Sequence, residues 1–231
     1  MLDTLKWMRT LHGPTSFNAL VVTPHDTSSG SLQRVWTAAR GVFQVVETHS
    51  YPCPKGGWPL GPNVAWQSTA RLMLTAPRPW LWLEADAIPL KADWLVRLSE
   101  AYARSRKAFM GAIVPNMGHC NGVAIYPPDT AVRCPKAMTA TTQAWDYVMR
   151  DEMIRDCHNA SALIFHFWGV VYGRPHATTG NPPHFASAAD VKRWIPPSAV
   201  LMHRCKDGSL AKRLCESLHT DRKLAARPLV A

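Results

Sequence analysis

Pro79-Trp80-Leu81-Trp82-Leu83-Glu84-Ala85-Asp86-Ala87-Ile88-Pro89-Leu90 is the stretch on which the reading of this chain turns. An apolar run leads into two carboxylates one residue apart and then meets a proline, which has no N–H to extend a sheet ladder. A buried strand that delivers acids at its carboxyl end presents a metal or a ligand at the edge of an open α/β sheet. The bare spacing also fits a solvated turn, so the flanks decide. Asp93 is placed to cap a helix whose apolar residues Trp94, Leu95, Leu98 and Tyr102 recur at helical spacing, making strand, acidic loop and helix one unit.

Upstream, Phe17 to Val22 reads as a strand ending in Thr23-Pro24-His25-Asp26, and a polar loop then opens a helix from Leu32 to Arg40. Gly41 closes it, and Val42 to Thr48 reads as a second strand with Glu47 near its end. Residues 51–62 are too rich in Pro and Gly for regular structure, yet they carry Trp58, the pattern of a binding loop. A helix from Asn63 to Thr75, capped by Asn63 and stopped by Pro77, precedes the acidic strand. Downstream come strands at Ala108 to Val114 and Gly122 to Tyr126, around a loop with His119 and Asn121. A helix over Thr142 to Arg155 follows, then an apolar stretch Ala162 to Tyr172 with His166, a Gly173 to Phe185 loop, a strand Ala199 to Met202 and a basic helix. Strands alternating with helices imply a mostly parallel sheet covered on both faces. His119 and His166, in or beside apolar segments, read as core residues.

The chain has 231 residues, 47% of them hydrophobic, which fits one domain of roughly 200 to 250 residues. No apolar run reaches the roughly 18 residues a membrane span needs, and the amino terminus lacks a signal-peptide pattern, so a soluble, cytoplasmic protein is expected. Cysteines at 53, 120, 134, 157, 205 and 215 show no CxxC or zinc-like spacing and read as reduced thiols. The net charge of +10 favours a polyanionic partner: nucleic acid, a nucleotide diphosphate or an anionic membrane surface.

Thr23-Pro24-His25-Asp26, the run LEADAIPL at 83–90, CNGVAIYP at 120–127 and LMHRCKDGSL at 201–210 together resemble a GT-A-type nucleotide-sugar glycosyltransferase, of the small kind found in bacteriophages. The resemblance covers most of the chain. It implies a single α/β domain over 1–231, with a GT-A-like, mostly parallel central sheet and helices on both faces. Its donor-binding part spans about 15–130, and its acceptor and metal-return part about 131–231. It implies that Asp86 and His203 share one divalent ion, Mn2+ or Mg2+, and that Thr23, Asp26, Glu47 and Glu84 face the donor, UDP-glucose or a relative. The first acid is Glu84 where the family pattern has Asp, which leaves its role less defined than that of Asp86.

The chemistry of the residues runs the same way. A nucleoside diphosphate leaving group develops negative charge that a divalent ion and nearby donors stabilise, and Lys206 with Gly208 and Ser209 are placed to help. An inverting transfer needs a base for the acceptor hydroxyl, for which Asp146 is the candidate. Trp58, Asn121 and Trp145 are the candidate acceptor contacts. From Lys192 onward basic residues outnumber acidic ones, which suits double-stranded DNA, and the preferred acceptor is a hydroxymethylated base stacked on Trp58 or Trp194. A lipopolysaccharide or other glycan is the rival acceptor. A non-catalytic nucleic-acid-binding domain is the third reading, against which Glu84, Asp86, His203 and Lys206 stand jointly.

Overall fold

A computed structural model describes residues 1–53, 55, 57–76, 78–114, 118–166, 170–171, 174–175, 185–204 and 207–216. Helix α1 (Leu2–His12) buries Thr4, Leu5, Trp7 and Met8 along one stripe, the spacing of an amphipathic helix. Strands β1 (Ala19–Pro24) and β2 (Val46–Tyr51) pair in parallel across the crossover helix α2 (Ser29–Arg40). Helix α2 starts earlier than its apolar spacing suggests because Ser28 caps it, the Ser28 hydroxyl accepting the Ser31 N–H at 3.3 Å.

Helix α3 (Leu60–Met73) begins before Asn63, so Asn63 is not its cap. Pro62 is tolerated in the first turn, where no intrahelical bond needs its missing N–H. The Asn63 side chain instead donates to the Ala140 and Gln143 carbonyls at 3.1 and 2.7 Å and accepts the Trp145 N–H at 3.0 Å, tying the helix to a later loop.

The acidic stretch divides between two sheets. Strand β3 (Trp80–Leu81) precedes the acids and β4 (Ile88–Pro89) follows them; then come α4 (Trp94–Ser105), β5 (Phe109–Val114) and β6 (His119–Tyr126). Asp93 occupies the cap position of α4 without a side-chain capping bond. After α5 (Thr130–Arg133) and a 3-10 turn at Ala137–Thr139, the helix expected over 142–155 is two short ones, α6 (Trp145–Val148) and α7 (Arg150–Arg155), leading to β7 (Cys157–Asn159). One sheet has the order β3-β6-β5-β7. The other, β4-β11-β8, is built from β4, β8 (Ile164–His166) and β11 (Leu201–His203). Strands β9 (Val170–Val171) and β10 (Arg174–Pro175) form an antiparallel pair, α8 (Ala188–Trp194) carries a Ser187/Asp190 capping box, and residues 209–216 are helical.

The architecture is α/β, with small mixed sheets in place of the expected mostly parallel one. Strands β3 and β6, β5 and β6, and β4 and β11 run antiparallel, whereas β1 with β2, β5 with β7, and β8 with β11 run parallel. Chain length explains the reversal at β5 and β6. Only residues 115–118 separate them, too few for the crossover that a parallel pair requires.

Three cores hold these pieces. Met8, Val21, Trp94, Leu98, Met110 and Ile164 belong to one, between the β1–β2 unit and the rest. An aromatic core gathers Trp66, Trp80, Phe109, Tyr126 and Trp145. Trp7, Ile88, Phe185, Met202 and Leu210 form the third, beneath the β4–β11 pair. The cysteines at 53, 120, 134, 157 and 215 are free thiols; Cys205 lies outside the described residues.

Candidate metal centre

Antiparallel pairing of Met202 with Ile88 brings the end of β11 level with the acidic turn, although 119 residues separate Glu84 from His203. The turn itself closes on a hydrogen bond from the Ala87 N–H to the Glu84 carbonyl at 3.0 Å, with Ala87 and Ile88 buried behind it. The His203 Nε2 then lies 3.1 Å from Glu84 Oε2 and 3.3 Å from Asp86 Oδ1. One ligand atom from each of the three side chains falls within 4.8 Å of the others. Two carboxylates and an imidazole suit Mn2+ better than Mg2+, which prefers oxygen alone, and three protein ligands leave positions for phosphate oxygens or water.

The far side of the His203 ring is also engaged. Asn121 Oδ1 accepts the Val123 N–H at 2.9 Å, so it is an acceptor, and it faces His203 Nδ1 at 2.9 Å. That assigns a proton to Nδ1 and directs Nε2 at the acids, the arrangement that fixes a metal-ligating histidine. His166 Nδ1 lies 2.9 Å from the same His203 nitrogen, and parallel pairing of β8 with β11 sets the two rings side by side. Burial first, then the positive charge of His203, holds His166 down to about 2, so it accepts as a neutral ring. Burial by itself would lower His203, but hydrogen bonds and charge from Asp86 and Glu84 outweigh it and raise the imidazole to about 9.

Asp146 stands close to this centre. Its Oδ2 accepts the Gly122 N–H at 3.1 Å and its Oδ1 the Tyr147 N–H at 2.9 Å, while His119 Nε2 lies 3.8 Å from Oδ2. Burial, and then repulsion from Glu84, raise Asp146 to about 6 against those two N–H bonds. A carboxyl poised there exchanges a proton near neutrality. Asp146, Glu84, Asp86, Asn121, His119 and His203 all line a groove of about 2050 Å³, larger than the roughly 300 to 1,000 Å³ of a site for one small ligand.

Other expected site residues divide. Glu47 on β2 lines the groove, whereas buried Thr23 and exposed Asp26 are not part of its lining. Trp58 is 79% exposed at the groove, free to stack on a planar group. Trp145 is not a platform: it is 4% exposed and stacked on Trp66 at 5.8 Å, because its indole fills the aromatic core. Asn121 lines the groove, with its side-chain oxygen toward His203 and held by the Val123 N–H. Trp194 packs in the third core with the Arg193 guanidinium over its ring at 4.2 Å. Lys206 lies outside the described residues.

Three participants escape a reading of sequence alone. His166 and His119 look like core histidines in or beside apolar segments, and only the fold shows that strand pairing sets His166 beside His203 and that His119 approaches Asp146 of α6. Arg204 follows His203, lines the groove and lies near enough to Asp86 to feel its charge. Its adjacency to His203 was the available signal. Gly122 is required where it stands: a Cβ there would meet the Trp145 ring at 2.8 Å and Glu84 Oε1 at 3.3 Å. No family model, no curated protein and no solved structure matches the chain.

Proposed function

We propose that the protein is a metal-dependent glycosyltransferase that uses a nucleoside diphosphate sugar, UDP-glucose or a relative, as donor. The observation that carries this reading is the meeting of Glu84 and Asp86 with His203, 119 positions on from Glu84, on the wall of a groove large enough for two substrates. An α/β body with an acidic turn after β3 and a histidine returning on β11 is compatible with a GT-A-like donor domain.

Glu84, Asp86 and His203 would hold Mn2+, which supplies charge stabilisation to the departing diphosphate. Arg204 adds positive charge on the same wall. In an inverting transfer, Asp146 accepts the acceptor hydroxyl proton, the acceptor oxygen bonds to the anomeric carbon, and the bond to the diphosphate oxygen breaks with its electron pair leaving on the diphosphate. The two backbone N–H bonds to Asp146 hold its orientation for that step.

The acceptor best suited to a net charge of +10 and an exposed Trp58 is DNA carrying a hydroxymethylated base, extruded and stacked on that tryptophan. Part of the basic tail is otherwise occupied. Arg213 donates to the Phe185 carbonyl at 3.1 Å and pairs with Glu216 at 2.7 Å. Among the described residues no helix is long and apolar enough to cross a membrane.

Calorimetric titration with UDP, with and without Mn2+, tests the donor half. Tight binding that needs the ion is expected, and UDP binding indifferent to Mn2+ and chelator defeats the reading. Mass spectrometry after incubation with nucleotide sugars then tests the acceptor half. Hexose added to hydroxymethylated but not plain DNA is expected, and transfer to glycans alone moves the assignment to the glycan acceptor.

A further inference from the structure

Strand β4 carries the chain away from the acidic turn, yet it is two residues long and, among the described residues, lies at the edge of its sheet, paired with β11 alone. So short an edge strand does not hold a turn by itself. Its open side is met by α1. The Trp7 indole Nε1–H donates to the Pro89 carbonyl at 2.6 Å, and the Thr4 hydroxyl donates to the Ala85 carbonyl at 3.1 Å. Ala85 is the residue between the two acids, so Thr4 grips the turn at its midpoint. Both donors are buried, Thr4 at 7% and Trp7 at 2% exposure. Both reach across more than 80 residues of sequence.

A cavity of about 770 Å³ lies between α1 and the helical residues 209–216 and extends to Glu84, Ala85 and Asp86. Trp7 also shares one core with Ile88 of β4, which follows the acidic turn, and with Met202 of β11, which precedes His203.

We propose that α1 is the positioning element of the metal centre, with Thr4 and Trp7 as its positioning residues. The inference rests on the metal-centre reading above. If the Thr4 hydroxyl is removed, the Ala85 carbonyl loses its partner on α1, and the peptide, exposed at Ala85, is free to rotate toward solvent. Rotating that peptide swings the flanking carboxylates of Glu84 and Asp86 away from His203. Supporting partners of this kind typically change metal affinity by about 10- to 100-fold.

The test is Mn2+ affinity of the full chain by calorimetry, read beside thermal unfolding and near-UV circular dichroism. Thr4→Val, which keeps shape and loses the donor, is expected to weaken Mn2+ binding about tenfold, with recovery in Thr4→Ser. Trp7→Phe keeps apolar bulk, loses the N–H, and is expected to weaken binding similarly. Leu5→Ala, on the same helix but facing the first core, should lower the melting temperature and leave Mn2+ affinity unchanged, which separates positioning from stability. Wild-type affinity in folded Thr4→Val and Trp7→Phe overturns the proposal while the metal centre stands. A wild-type protein that binds no Mn2+ removes the metal centre, and the strap with it.

Discussion

Two neighbouring regions share a wall at Gly122 and spend their residues in opposite ways. On one side Trp66, Trp80, Trp82, Tyr126 and Trp145 form a continuous ring cluster, with Trp66 and Trp145 stacked within 18° of parallel. On the other, Glu84, Asp86, Asp146 and three histidines converge at the groove. The aromatic region satisfies the ordinary demands of folding, because large rings buried together yield the most apolar area per residue. The polar region does the reverse. It gathers acids that repel one another and buries a carboxyl at a cost, which a fold tolerates chiefly where chemistry needs it.

The sharpest way to break this contrast is Trp66→Ala. If the ring cluster is structural, the loss is about 3–5 kcal/mol in urea unfolding. A folded variant with normal stability and altered ligand binding would return the cluster to a binding role.

Asp146 tests the other side through pH. Its carboxyl is raised from an ordinary 3.8 to about 6, so the folded state takes up protons more readily than the unfolded one between those values. Stability is therefore highest below about pH 4 as far as this group is concerned, and falls by about 3 kcal/mol as pH rises through 6. Asp146→Asn should abolish that pH-dependent part. An additional offset is expected at every pH, because one amide nitrogen must face an N–H that the carboxylate now accepts. In a transfer assay the same variant should lose roughly 10²-fold in kcat with little change in donor affinity. An unchanged stability profile between pH 4 and 6 refutes the burial cost.

His203 is raised to about 9, so its proton stabilises the metal-free protein fully below about pH 6.5 and is lost as pH passes through 9. A metal on Nε2 must displace that proton. Apparent Mn2+ affinity should thus rise up to about tenfold per pH unit from about 6.5 to 9, with close to one proton released, measurable by calorimetry in buffers of different ionisation enthalpy. His203→Ala should lower affinity about 100-fold and leave the aromatic near-UV signal unchanged. A pH-independent affinity means that His203 is not a ligand.

The smallest effect belongs to Trp58→Ala. A side chain 79% exposed contributes little to the core, so stability should move by less than about 0.5 kcal/mol. Acceptor affinity should fall by about 1–3 kcal/mol if a base stacks there, read by titration with single-stranded and hydroxymethylated DNA.

Much of the site was legible before any folding was considered. The acids at 84 and 86 sit where an apolar run ends, and the run itself says which way the chain points. His203 entered only through the resemblance of LMHRCKDGSL at 201–210, not through any local pattern. The tryptophans misled at 145 and 194, because a large aromatic at the end of a short helix has the same composition whether it fills a core or a groove.

Sequence alone therefore determined the α/β class, the first βαβ unit and the identity of the acidic turn, since each depends on local periodicity, capping and strand-breaking residues. Tertiary structure decided the antiparallel pairing of β5 with β6, and decided which histidines meet the acids at the groove. It also recruited α1 to the turn. The meeting of α1 with the turn, and of His203 with Asn121, depends on contacts between residues more than 80 positions apart, and pairing geometry at that range has no local signature for a sequence to display.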